Sequence, residues 1–193
     1  MSETQTSDVS REGIGQYDFT TLILLAGITA VLFAGGLALT EFTEIPPDID
    51  FKPFFIVYAI IVLVPWGTPT LAVAFGAAGA EGILDLIEGA AADDPFGWVG
   101  YLIGFTLFGW LIKDDTSNYL KISIAAVLAA FVQIFIEALN VIIISNKAIS
   151  IFATIVIANT ITHGVIMGAI LLIPTLEALE GRVDRMFGSV AQN

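Results

Sequence analysis

The sequence predicts an all-α integral membrane protein, a bundle of six transmembrane helices with the N- and C-termini both cytoplasmic. Three observations carry this prediction. The composition is 56% hydrophobic and 13% charged with a mean hydropathy of +0.89, far from that of a soluble globular protein. Most of residues 19–179 divides into apolar stretches near the roughly 20 residues needed to cross a bilayer. The breaks between them hold prolines, glycines and acids, which do not continue a helix in lipid.

Residues 1–18, MSETQTSDVSREGIGQYD, form a polar tail without the basic flank of a secretory signal peptide, and they are expected to be cytoplasmic. Helix one is expected over 19–40, apolar throughout and ended by EFTEIPPDIDFKP. Residues 53–65 are apolar but too few to cross upright. A turn at Trp66–Pro69 separates them from a Gly- and Ala-rich helix over 71–87. Helix four is expected over 96–112, with Trp98 and Tyr101 near one end and Trp110 near the other, as interfacial aromatics are placed. Helix five covers 119–144 and helix six 149–179, with a bend or stop at Pro174. A cytoplasmic tail, 180–193, completes a chain whose membrane domain is 19–179.

Short cytoplasmic loops are enriched in bases, which sets the orientation. With the N-terminus inside, Arg11, Lys113, Lys121, Arg182 and Arg185 are cytoplasmic, and only Lys52 and Lys147 are outside. The net charge of -12 sits in loops and tails. It suits either well-solvated loops, as in a salt-rich habitat, or a mouth that attracts cations. Nucleic-acid binding is excluded because it needs clustered Lys and Arg. The absence of cysteine excludes disulfides, thiolate metal sites and cysteine nucleophiles.

Polar groups inside apolar spans are costly and mark the bundle interior or a wet cavity. Glu81, Asp85 and Glu88 share one face of helix three. Gln133, Glu137 and Asn140 share a face of helix five, and Asn159 and His163 lie one turn apart on helix six. These stripes frame a small-molecule pocket in the outer half, or else serve as interhelical hydrogen-bond glue. Trp98, Tyr101 and Tyr58 would stack on a flat ring or hold a cation, or anchor the interface. Asp85 and Glu137 favour a cationic or hydrogen-bond-donating ligand. A single histidine is poor grounds for a metal site, and GxSxG, HExxH and P-loop motifs are all missing, so neither a catalytic nor a metal residue is assigned. Ala26, Ala30 and Ala34 recur every four residues on helix one, a face for close helix approach; Gly100 with Gly104 and Gly164 with Gly168 repeat the device.

With AGITAVLFA on helix one, the stretch VPWGTPTLAVAFGAAGAEGILDLIEG and the glycine-rich GWVGYLIGFTLFG, the chain resembles the substrate-binding S components of energy-coupling factor (ECF) transporters. The resemblance spans nearly the whole chain and implies a non-enzymatic binding subunit in a prokaryotic plasma membrane, taking a vitamin or related micronutrient from outside. It also implies a T component docking on the alanine face, and two cytoplasmic ATPases that use ATP while this chain holds no cofactor. The loop between helices one and two would roof the pocket. Two other readings remain open: an ATPase-independent transporter or channel relaying protons or ions through Asp85, Glu137 and His163, and a non-catalytic membrane assembly subunit.

Overall fold

A computed structural model describes residues 17–40, 49–89 and 94–187, omitting the side chains of Glu88, Asp94 and residues 180–187. The expected tails, 1–18 and 180–193, therefore fall largely outside the described residues, as do the side chains of Arg11, Arg182 and Arg185. The described chain is helical: α1 Phe19–Thr40, α2 Phe54–Leu63, α3 Thr68–Glu88, α4 Asp94–Ile112, α5 Tyr119–Ile143, α6 Ile149–Asn159, a π-helical stretch Thr160–Leu171, and α7 Leu172–Phe187. Five rods are long and apolar enough to cross a membrane: α1, α3, α4, α5 and the continuous α6–π–α7 rod as far as Leu179. Of the six transmembrane helices expected, five are full spans, and the one over 53–65, already too few residues to cross upright, is α2, with ten residues and a length of about 15 Å, half the hydrocarbon core.

The shortfall in α2 has a local cause. Residues 49–53 are not helical and are tied into the bundle, where Asp50 and Lys52 hydrogen-bond to Asn159 and His163, before the helix begins. Pro53 (φ -79, ψ 57) then makes an inverse γ-turn in which Phe54 N–H donates to the Lys52 carbonyl at 2.8 Å. From this mid-bundle start α2 needs only to reach the end marked by Trp66 and Trp110, where Gly67 (φ 118) turns the chain into α3. With Pro69 accommodated in the first turn, α3 starts three residues earlier than expected and ends on Gly89 (φ 106). Asn118 caps α5 by accepting from Lys121 N–H at 3.1 Å.

Helix α5 is the centre of the bundle, packed on α4, α6 and the π stretch. It buries Ala125, Ala126, Ala129, Ala130 and Ala138 and exposes Leu120, Ile124, Leu128, Phe131 and Phe135. Small residues inward and large apolar ones outward is the pattern of helices packed within lipid. Glycines bring the neighbours close. A Cβ on Gly100 would lie 2.7 Å from the Gln133 carbonyl oxygen, and one on Gly104 would lie 2.6 Å from Gln133 Cβ. On the π stretch, a Cβ on Gly164 would meet Val127 Cα at 2.8 Å, and one on Gly168 Ala126 Cβ at 2.6 Å. Both glycine pairs expected from the sequence therefore face α5.

The last rod does not stop at Pro174. The proline stands in the continuous rod, three residues after the π stretch gives way to α geometry, and the helix runs on to Phe187. On α1 the alanine stripe is partly turned inward: Gly76 of α3 packs on the Ala26 backbone, and Ala30 and Ala34 pack against the core.

Candidate binding site

Below the site lies an aromatic floor of fully buried Phe33, Phe54, Tyr58, Tyr101, Phe105 and Phe108, with His163 stacked on Phe54 at 4.5 Å between ring centroids. The Tyr58 hydroxyl donates to the Ala126 carbonyl at 3.1 Å, so this ring braces α2 on α5 beneath the polar groups and does not face a ligand.

On this floor the non-helical strap, residues 49–53, carries Lys52 into the middle of the polar stripes. Lys52 Nζ lies 2.9 Å from Glu81 Oε1, 3.1 Å from Glu137 Oε1 and 3.6 Å from Asp50 Oδ2, and 5.4 Å from the centre of the Tyr101 ring. Tyr101 donates its hydroxyl to Glu81 Oε1 at 3.2 Å, and Gln133 donates from Nε2 to Glu137 Oε2. Helices α3, α4, α5 and the strap thus converge on one ammonium. Burial pulls the Lys52 ammonium toward neutrality, but Glu137 and Glu81 outweigh it and hold its pKa well above the ordinary 10.5.

The strap's backbone is tied to the last rod. Asp50 N–H donates to Asn159 Oδ1 and Lys52 N–H to His163 Nε2, each at 3.2 Å. His163 Nε2 also lies 2.6 Å from Asp50 Oδ1. One ring nitrogen cannot satisfy both neighbours: to accept from Lys52 it must be bare, and to donate to Asp50 it must carry a proton. The ring nitrogen is shared between the carboxylate at 2.6 Å and the Lys52 N–H at 3.2 Å, and His163 Nδ1 has no hydrogen-bond partner. Burial pushes the Asp50 carboxyl up, but Lys52 and His163 outweigh it and hold its pKa at about 2.

Asn159 and His163 reach the strap from either side of the α6–π junction, and π-helical turns recur at functional sites. Asp50, Glu137, Asn140, Asn159 and His163 also line a polar cavity of about 10 Å³, room for roughly one water molecule. Among the described residues no group of three or more His, Asp or Glu side chains is arranged to hold a metal ion.

Of the residues singled out in the sequence, Glu137, Asn140, Asn159 and His163 come together on the cavity, with Gln133 behind Glu137 and Tyr101 behind Glu81. Asp85 is placed elsewhere: its carboxylate accepts Trp98 Nε1–H at 2.9 Å on the exposed side of α3 and α4. Lys52 and Asp50 were not among the expected site residues. The brevity of residues 53–65 was the usable signal, because a helix too short to cross requires the chain before it to descend. No family model, curated protein or solved structure matches the chain.

Proposed function

We propose that the chain is the membrane-embedded binding subunit of an ECF-type importer, taking a vitamin or related micronutrient from the side on which the strap lies. The observation that carries this reading is the strap-covered polar cluster, in which Glu81 and Glu137 converge on one ammonium from separate helices above an aromatic floor. Acceptors placed in apolar walls under a removable cover suit capture of a small solute. The resemblance of the helix-one motif and of the glycine-rich third and fourth helices to S components adds the partners: a T component and two ATPases.

On this reading six passages are made by five full spans and by the strap with α2, both termini are cytoplasmic, and the strap faces outside. The T component docks on α1 beside Ala26, Ala30 and Ala34, where Gly27 and Gly35 have no atom within 4 Å of an added Cβ. ATP is used by the partners.

The test is ligand retention by the gently purified chain, read by native mass spectrometry, and stabilisation by a panel of vitamins, read by thermal shift. A bound micronutrient, together with uptake that requires the T component and ATPases, supports the proposal. Solute movement by the reconstituted chain alone would overturn it and favour the ion-relay transporter. Absence of any ligand would favour the assembly subunit.

A further inference from the structure

We infer that the cluster is a site for a small organic monocation, a primary ammonium or amidinium, and that Lys52 is its in-chain occupant, displaced when the ligand enters. The inference rests on the chain's being a binding subunit and names the substrate class of that same site.

Charge and hydrogen-bond capacity lead to it. Three carboxylates, of Asp50, Glu81 and Glu137, surround one ammonium, with a single imidazole, that of His163, beside Asp50. Acceptors exceed donors. Gln133, 1% exposed, keeps its Oε1 without a donor, and Asp50 Oδ1 meets only the His163 ring nitrogen that it shares with the Lys52 N–H. What the site lacks is N–H groups and positive charge, which an ammonium or amidinium supplies and an anionic or purely apolar ligand does not. The Tyr101 ring 5.4 Å from Nζ adds a face suited to an organic cation.

Space decides between joining Lys52 and replacing it. The adjoining cavity holds about 10 Å³, too little for any organic cation. The volume that fits one is the volume Lys52 fills, that of a butylammonium group. The lysine sits on a strap outside every spanning helix, so its departure breaks two backbone hydrogen bonds, the Asp50–His163 contact and the packing of Phe51 and Pro53 but unfolds no span. A tethered occupant lowers the apparent affinity of every competing ligand by the fraction of time the site is open, which favours a ligand that pairs with the carboxylates and gains further contacts.

The test uses the full chain in lipid nanodiscs with n-butylammonium chloride as probe. Lys52→Met leaves Glu81 and Glu137 without their cation, and its melting temperature falls. Butylammonium restores it saturably, at a half-saturating concentration about tenfold below that for wild type, while sodium chloride and n-butanol do not. The double variant E81Q/E137Q shows no such response. In wild type, butylammonium speeds amide hydrogen exchange at Asp50 and Lys52, a readout available even where Lys52→Met does not fold. Equal effects of butylammonium and sodium chloride, or unchanged exchange in wild type, would overturn the inference. A neutral vitamin bound without competition from butylammonium would overturn it while leaving the importer intact. Butylammonium rescue in a chain that supports no ATPase-dependent uptake would leave the cation site standing and remove the importer.

Discussion

Glu81 and Glu137 hold the same lysine but are not equivalent. Glu81 Oε1 accepts from both Lys52 Nζ and the Tyr101 hydroxyl, so its neutralisation weakens two hydrogen bonds to a charged acceptor, one from a fully buried ring. Glu81→Gln is expected to destabilise the chain by about 2 kcal/mol. Glu137→Gln, at a more exposed carboxylate, should cost less, and chemical denaturation in detergent measures the difference. Asp50 gives the pH dependence. Its carboxyl titrates at about 2 in the closed strap against an ordinary 3.8, so the charged form is favoured when the strap is closed. Its contribution to closure is complete above pH 3.8 and is lost as pH falls through about 2. Amide exchange at residues 50 and 52, corrected for the intrinsic rate, should therefore accelerate between those values, and Asp50→Asn should remove Asp50's share of the acceleration while leaving that of Glu81 and Glu137, which also hold Lys52. None of this was legible at Lys52 itself, because a lone base among prolines and acids reads as an outer loop. Its partners were more visible, since carboxylates within apolar runs stand out wherever they fall.

At the scale of elements, close contacts decide where the strap lies. Gly36 of α1 faces Pro53, and a Cβ there would lie 2.6 Å from the proline Cγ. Gly36→Val should push Pro53 away, loosen the strap and raise exchange at Lys52 while leaving the α4–α5 contact intact. Gly104→Val should do the reverse, separating α4 from Gln133 on α5. Overpacking of this kind costs about 1–3 kcal/mol, readable as a lowered melting temperature in both variants and a strap effect in the first alone. The ends of α1, α4 and α5 followed from composition, because an apolar run bounded by prolines, acids or a capping asparagine has few alternatives. The last rod did not follow, since helical spacing cannot reveal a switch to π geometry, and a proline within a span can be carried through without ending it. That Asp85 lies apart from the cluster was not legible either, for a related reason. Sharing a helix face with Glu81 does not settle which neighbour each meets, and Trp98 takes Asp85 on the exposed side.

For the whole molecule, the arrangement of five spans and a descending strap makes a geometric claim that can be checked without knowing the ligand. The loops at the two ends of α5 are separated by 25 helical residues, about 37 Å, more than the hydrocarbon thickness. They must emerge on opposite sides. The α4–α5 loop lies at the Trp110 end, while the α5–α6 loop lies at the end where Asn140, Asn159 and the strap meet. Because the chain has no cysteine, an introduced thiol gives the only labelling signal. Ser117→Cys and Ser145→Cys, both at exposed loop positions, should react with a membrane-impermeant maleimide from opposite faces of sealed vesicles. Under the proposed orientation Ser145→Cys labels from outside the cell. Ile49→Cys, at the head of the strap and only partly exposed, should label from the same side as Ser145→Cys but more slowly, and faster once butylammonium releases the strap. Labelling of Ile49→Cys from the Ser117 side would mean that α2 is approached from the other face, and the strap would then be no cover for an outward-opening site.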